Sequence, residues 1–413
     1  MPKISKRGTL MPNSPIRKLV PIAEDAIKQG KNVIRLNIGQ PDIPTSDKAL
    51  SAIRNLKANV LEYSHSAGME SLRRKLVEYY KRHNIDVNYE DILITTGGSE
   101  AITITLLTCL NGDDEILVPE PFYANYYSFA TSTDVNVVAI TSHIEDGFIL
   151  PPISEFEKKI TDRTKGIIIC NPNNPTGHVY SRKELEQIRD LVLKYDLFLL
   201  SDEVYREFVY DGEEFISIMQ LEGMDQHAIL IDSLSKRYSA TGLRTGALIT
   251  KNKHLRETAL KFCQARLSPP YVGQVAGEAA IDSSDEYMTE VFNEYLSRRN
   301  YLTGALNKIP GVFCTKPKGA FYIMAKLPVD DAEKFAMWML SDFEYKGNTI
   351  MFAPGAGFYT EGGLGRQEVR IAYVINLDQL KIAMECLAKG LQEYPGKISG
   401  EQAEVSYSSV SRT

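Results

Sequence analysis

The chain is poor in cysteine and pairs none of it. Five cysteines, at 109, 170, 263, 314 and 386, are scattered over 413 residues, an odd number with no Cys-x-x-Cys spacing. That argues against a disulfide framework and a clustered zinc site, and points to reduced core thiols in a cytoplasmic protein. The six histidines follow no metal-binding pattern, so no metal is expected. No uninterrupted apolar stretch reaches the roughly 20 residues that a membrane helix needs. The N-terminus, Met1-Pro-Lys-Ile-Ser-Lys-Arg7, is basic, but no apolar run follows it, so it does not read as a signal peptide. Positive charge is not in excess either, and a net charge of −6 gives no electrostatic reason to expect nucleic acid or a membrane surface. No Gly-x-Gly-x-x-Gly follows a strand, which disfavours a nicotinamide dehydrogenase. There is no internal repeat. What is present is ordinary globular composition, 43% hydrophobic and 24% charged, on a chain long enough for two or three domains and a large core.

Seven short apolar runs recur between helical patterns, at 91–95, 115–119, 135–140, 165–170, 197–201, 228–231 and 246–249. Runs this short, apolar on both faces, predict a mainly parallel sheet covered on both sides, an α/β fold. Helices are predicted at about 99–110, 122–132, 182–195 and 252–263, the third from the spacing of Leu185, Ile188 and Val192. From about Asp285 a long polar helix pattern carries Arg298 and Arg299, and Pro310-Gly311 breaks it. The segment beyond, through Phe321-Tyr-Ile-Met324 and Val369-Arg-Ile-Ala-Tyr373, mixes strands and helices as an α+β unit does. The stretch from Gly396 to Thr413 lacks periodicity and is expected to be frayed.

The chemistry gathers where strands end. Ser233-Leu-Ser-Lys236 follows an apolar strand, and Arg244 follows eight residues after the lysine. A lysine amine, hydroxyls and a guanidinium suit a phosphorylated aldehyde: the amine condenses with the aldehyde, while Ser233 and Arg244 hold the phosphate. Thr95-Thr-Gly-Gly98-Ser99-Glu100 joins a strand to a helix, where glycines and free N–H groups accept an anion. It is no P-loop, since no Gly-Lys-Ser/Thr follows. Asn171-Pro-Asn-Asn174-Pro-Thr-Gly177 is, as a bare pattern, turn chemistry. Asp202, in Leu200-Ser-Asp-Glu203-Val-Tyr205, ends a very apolar strand, where open α/β sheets bind ligands. Glu203 beside it reads as part of a solvated face.

In order and in type, these motifs resemble the fold-type-I, pyridoxal-phosphate-dependent aminotransferases of class I/II, the aspartate aminotransferase-like group. The resemblance runs from near Leu36 to Arg370. It implies a large domain (46–285) with a seven-stranded sheet, one strand antiparallel, and a small α+β domain (286–395) completed by residues 1–45, with 396–413 as a tail. It implies pyridoxal 5′-phosphate as cofactor, linked to Lys236, with the phosphate on Gly98, Ser99, Ser233 and Arg244. Tyr123, in Pro119-Glu-Pro-Phe-Tyr123, matches the aromatic that stacks on the pyridine ring, Asp202 the partner of the ring nitrogen, and Asn174 and Tyr205 the pair on the phenolic oxygen. Gly39, in Asn37-Ile-Gly-Gln-Pro-Asp42, and Arg370 match the backbone and the clamp that meet the substrate carboxylate, Asn174 helping Arg370 to position it and Tyr123 also lying against the substrate. Tyr63 matches a tyrosine that a partner subunit gives to the phosphate, which implies a homodimer with shared sites. The substrates implied are an amino acid, aspartate foremost, and a 2-oxo acid, 2-oxoglutarate foremost. A second carboxylate needs a second cation, for which Arg266 is the first candidate, with Arg237 and Arg17 next. Arg237 departs from the family pattern, and a phosphate or substrate contact is open to it. Alternatives are an aminotransferase of aromatic residues or alanine, a β-lyase on the same fold, and a non-catalytic effector sensor. The last lacks the spare length and basic face that a DNA-binding domain would need.

Overall fold

In the computed structural model, which describes residues 2–398, seven strands build one sheet. They are β1 (Ile92–Thr95), β2 (Glu115–Glu120), β3 (Asn136–Thr141), β4 (Thr164–Cys170), β5 (Phe198–Asp202), β6 (Ala228–Ser233) and β7 (Gly246–Ile249). Their spatial order is β1-β7-β6-β5-β4-β2-β3. All pairs are parallel except those of β7, which runs against both β1 and β6. Successive side chains on a strand face opposite ways, and here both faces are buried. Ile168, Leu200, Ile229, Ile231 and Leu248 enter one core, while Ile167, Ile169, Leu199, Leu230 and Ile249 enter the other. In every strand but the edge strand β3, which is partly exposed, the apolar runs therefore had to be continuous rather than alternating.

The helices start where the local chemistry directs. Helix Arg182–Tyr195 opens on a capping box, Ser181 with Glu184, and ends on Asp196 in the left-handed region. Helix Lys253–Ala265 is capped by the Asn252 side chain. The helix predicted from 122 begins only at Asn125, because Pro121 and the residues after it form the turn leaving β2. A second, antiparallel sheet orders Ala353–Pro354, Glu368–Ala372, Tyr322–Lys326 and Phe313–Cys314. The N-terminal strand Asn32–Arg35 pairs in parallel with Asn348–Met351.

The 22-residue helix Asp285–Leu306 is less solvated than its composition suggests. Arg298 and Arg299 are both buried; the first binds Asp42 at 2.7 Å and the second Asp211 at 2.7 Å. They tie the N-terminal segment and the loop after β5 to one helix. At the other end the expected fraying does not begin at Gly396: its carbonyl accepts from Asp330 N at 2.9 Å, and Ile398 N donates to Pro328 O at 3.0 Å. The remainder of that stretch, 399–413, lies outside the described residues. No helix among the described residues is long and apolar enough to cross a membrane.

Candidate active site

The sheet register brings distant residues to one edge. Cys170, Asp202 and Ile231 are neighbours across β4, β5 and β6, and Ser233 faces Gly246. The segments leaving these strand ends enclose a cavity of about 540 Å³. Its wall contains Gly39, Gly98, Ser99, Tyr123, Asn174, Asp202, Tyr205, Ser233, Lys236, Arg244 and Arg370.

One end is built for an anion. Gly97, the first residue of helix Gly97–Cys109, has φ of +76°, and a Cβ there would lie 2.5 Å from an Arg244 nitrogen. Only glycine allows the helix to start against that guanidinium. No side chain caps this helix, and the nearby Glu100 carboxylate is occupied by Thr96 N at 2.7 Å. The first-turn N–H groups at Gly98 and Ser99 thus carry the positive end of the helix dipole to the cavity wall. Ser233 Oγ lies 2.9 Å from Ser235 Oγ, adding two hydroxyls. Arg244 sits in the left-handed region and is steadied by Thr241 O at 3.1 Å and Thr96 O at 3.2 Å.

The other end is built for a cationic ring and a carboxylate. Asp202 is 6% exposed, and its Oδ2 accepts from the Tyr126 hydroxyl at 2.9 Å. Its Oδ1 is buried with no partner. Burial pushes the carboxyl up to about 6, against the Tyr126 hydrogen bond and the nearby Val204 backbone N–H, which favour the charged form. A buried carboxylate oxygen without a donor is the site a protonated pyridine nitrogen would fill. Tyr126 was invisible as a site residue in the sequence. The only signal was a second tyrosine three positions after Tyr123, at the spacing that brings two side chains to one side of a helix start. Tyr123 is held by Asn125 Nδ2 at 2.9 Å and meets Tyr126 edge-on at 5.5 Å.

A polar chain closes the wall. Arg370 donates to Asn174 Oδ1 at 2.9 Å and to Asn37 O at 2.5 Å. Asn174 Nδ2 lies 3.4 Å from the Tyr205 hydroxyl, which lies 2.9 Å from that of Tyr322. The Arg370 guanidinium rests over the rings of Tyr322 (4.5 Å) and Phe358 (4.9 Å), while its Nε is buried with no partner. Tyr322 also explains Gly39: a Cβ there would lie 1.8 Å from the tyrosine hydroxyl. Lys236 Nζ donates to Gly39 O at 2.8 Å. Burial lowers its amine to about 8, with Arg370 and Arg244 adding to the shift and Asp202 opposing it.

Three expectations are corrected. Arg266 does not line the cavity; its Nε pairs with Glu100 at 3.2 Å and its Nη2 donates to Ile94 O at 2.6 Å. It fastens the anion-binding helix to β1 from behind, which removes it from any substrate contact within its own chain. Arg237 is fully buried and gives both terminal nitrogens to Asp232, at 2.9 and 2.8 Å, so it is closed to phosphate and substrate. Glu203 is not solvated: the chain after Asp202 turns inward instead of starting a helix, and Glu203 pairs with Arg206 at 3.2 Å. Of the other candidates, Tyr63 stands outside the cavity of its own chain and is 78% exposed, whereas Arg17 is in the wall.

The comparisons with known proteins agree with this geometry. The family model described as aminotransferase class I and II matches residues 31–387. The aromatic-amino-acid aminotransferase 2 of Thermococcus litoralis is 33% identical over 398 residues, 94% of this chain and 98% of that protein. The aspartate aminotransferase of Pyrococcus horikoshii is 31% identical over 395 residues, 94% and 97% of the two chains. Among solved structures, an alanine aminotransferase from Pyrococcus furiosus superposes with a TM-score of 0.87 at 32% identity, covering 95% of this chain and all of that one. With a helix start open to an anion beside a buried lysine, a buried aspartate oxygen without a donor and near-complete coverage by these relatives, the chain belongs to the class I and II aminotransferases, of the fold-type-I architecture, and its cofactor is pyridoxal 5′-phosphate.

Proposed function

We propose that this aminotransferase exchanges amino groups between a dicarboxylic amino acid, aspartate foremost, and 2-oxoglutarate. The observation that carries the reading is a guanidinium in the cavity besides those of Arg244 and Arg370. Arg17 lines the same wall as Arg370 and Tyr123, and both guanidiniums oppose the burial that raises the Tyr123 phenol. Arg370 is engaged with Asn174 and Asn37, while Arg17 makes no side-chain hydrogen bond or ion pair with the described residues. Aspartate and 2-oxoglutarate each bring two carboxylates, and burying the second one unpaired would cost several kcal/mol. Arg17 takes the place first expected of Arg266.

In this reading Gly98, Ser99, Ser233 and Arg244 hold the cofactor phosphate, Tyr123 stacks on the ring, and Asn174 with Tyr205 meets the phenolic oxygen. Asp202 keeps the ring nitrogen protonated. When bound, the cofactor supplies an electron sink for the pair left on Cα. Arg370 clamps the α-carboxylate and orients the Cα–H bond toward Lys236. The Lys236 amine, already shifted toward its neutral form, takes that proton as general base and returns one as general acid.

Mixing the cofactor-loaded protein with single amino acids, and following the absorbance as the cofactor is converted, tests the substrate class. Arg17→Leu should lower kcat/KM for aspartate and for 2-oxoglutarate by about 10- to 100-fold, the weight of one or two charge-assisted hydrogen bonds, and leave alanine and aromatic substrates nearly unchanged. If all substrates fall together, Arg17 is structural. If the parent prefers aromatic residues or alanine, or releases pyruvate and ammonia from cysteine conjugates without an acceptor, the dicarboxylate reading fails.

The same proposal includes a homodimer with shared sites. Tyr63 projects from an exposed loop with Val60 and Leu61, 68% and 60% exposed, an apolar surface suited to a second copy. Mixing Tyr63→Phe and Lys236→Ala subunits should yield activity above both parents, since a hybrid regenerates one intact site. Hybrids no more active than the parents would place Tyr63 outside the partner's site.

A further inference from the structure

Four residues of the cavity wall have a charged chain neighbour on its far side. Glu203 follows Asp202, Arg206 follows Tyr205, Asp232 precedes Ser233 and Arg237 follows Lys236. All four neighbours are buried, and they meet one another. Arg237 binds Asp232 through two parallel bonds of 2.9 and 2.8 Å. Arg206 reaches Asp232 at 3.4 Å and Glu203 at 3.2 Å. Tyr80 donates to Asp232 Oδ2 at 2.7 Å, and Asp232 Oδ1 accepts the backbone N–H of Ser233 at 2.8 Å. Glu203 in turn accepts from Ser217 Oγ and Ile218 N, both at 3.0 Å. Two guanidiniums and two carboxyl groups thus meet in one buried cluster, in which the arginines hold Asp232 well below the usual carboxylate range while burial pushes Glu203 up to about 7.

We infer that Glu203, Arg206, Asp232 and Arg237 form a charged brace that sets the positions of Asp202, Tyr205, Ser233 and Lys236 relative to one another. The inference rests on the aminotransferase roles proposed above and assigns a purpose to residues that those roles leave unused. The chain leaving β5 is tied to β6 by the Arg206–Asp232 contact, and the chain leaving β6 is tied back to it by the bidentate Arg237–Asp232 pair, so a shift of either would break an ion pair inside the protein. Such pairs tolerate little displacement, because each lost bond leaves a buried charge unpartnered. Two direct links lead from the brace to the chemistry: the Asp232–Ser233 N–H bond to the phosphate cradle, and the Arg237 backbone to Lys236. A third is electrostatic. Asp232 raises the proton affinity of Asp202, so its charge acts on the group proposed to hold the ring nitrogen. Tyr79, Tyr238, Glu207 and His83 complete the surroundings. The Arg237 guanidinium lies 4.3 Å from the centre of the Tyr79 ring and 5.6 Å from that of Tyr238. Glu207 accepts from Tyr79 and pairs with His83 at 3.2 Å. These are positioning residues; none lines the cavity.

The test uses the cofactor-loaded enzyme and the variants Arg237→Lys, the neutral pair Asp232→Asn with Arg237→Gln, and Tyr80→Phe. The last removes one bond to Asp232 and leaves every charge in place, so it serves even where the charge variants fail to fold. Arg299→Lys, an equally buried arginine tied to Asp211 away from the site, is the control for lost stability alone. Two readouts are followed, the split between kcat and KM and the pH midpoint of the bound cofactor's absorbance. The brace predicts a kcat at least about tenfold lower in Arg237→Lys and in the neutral pair, with KM changed by less than about threefold. It also predicts a midpoint displaced by about one pH unit, with smaller changes of the same sign in Tyr80→Phe. Folded variants whose kcat and midpoint match those of Arg299→Lys would overturn it. A parent enzyme that binds the cofactor but does not transaminate would instead overturn the functional reading, so the two failures are told apart.

Discussion

Lys236→Ala should retain the cofactor in the cavity and lose nearly all turnover. Retention follows because the anion cradle does not use the lysine: the start of helix Gly97–Cys109, Ser233 and Arg244 are positioned by Thr96, Ser235, Thr245 and Thr241. Loss follows because one amine serves as covalent anchor and as proton carrier. The amine is prepared for the second task. With burial and two arginines holding it near 8, roughly a quarter is neutral at pH 7.5, against about one part in a thousand for an ordinary lysine. Removing a positioned acid–base group costs about 10²- to 10⁴-fold, and losing the anchor adds to that. The measurement is steady-state transamination alongside cofactor content after gel filtration. Turnover within tenfold of the parent would remove Lys236 from the chemistry. Cofactor lost together with activity would mean that the lysine link, and not the cradle, holds the cofactor.

The strand runs were legible because both faces of the sheet are buried, so that the only sequence pattern compatible with β4 to β7 is a short unbroken apolar run. Helix Arg182–Tyr195 was legible to the residue because its capping box and its polar-to-apolar spacing agree. The cavity residues could be named because the chemistry of each strand end is concentrated in a few adjacent positions. Charged partners were harder. Nothing local in the sequence separates Arg237, which is buried on Asp232, from Arg17, which lines the cavity, or from Arg266, which is bound to Glu100. All three are arginines in loops or at helix ends, and which one reaches the cavity depends on contacts between segments far apart in the chain. Glu203 failed for the same reason: its partner Arg206 is close in sequence, but burial of the pair is decided by Tyr80 and Asp232 from other elements. Side chains that act through another residue, as Tyr126 does through Asp202, leave only a spacing as their mark.

Asp202→Asn should separate stability from function in opposite directions. The aspartate is buried, and its Oδ1 has no partner within the protein, so the carboxylate is disfavoured until a cationic donor arrives. Its folded value of about 6 stands above the ordinary 3.8. A carboxyl raised on folding contributes its full stability at low pH, where it is neutral in both states, and loses it as pH rises through the folded value. Between pH 4 and 6 the native state therefore binds more protons than the unfolded one, and stability falls across that window. About two units correspond to roughly 3 kcal/mol, which sets an upper bound because an asparagine amide oxygen accepts less strongly from the Tyr126 hydroxyl than a carboxylate does. Cofactor-free Asp202→Asn should consequently resist urea better than the parent at pH 8, with the gap closing by pH 4. The loaded variant should behave in the reverse way. With a neutral amide opposite the ring nitrogen, the protonated ring loses its counter-charge, and single-turnover proton removal from Cα should slow by more than tenfold, at least about 1.4 kcal/mol of barrier. A variant that keeps its single-turnover rate within tenfold would mean that Asp202 is not the ring partner. One that gains no stability at pH 8 would mean that its buried carboxylate is satisfied without the cofactor.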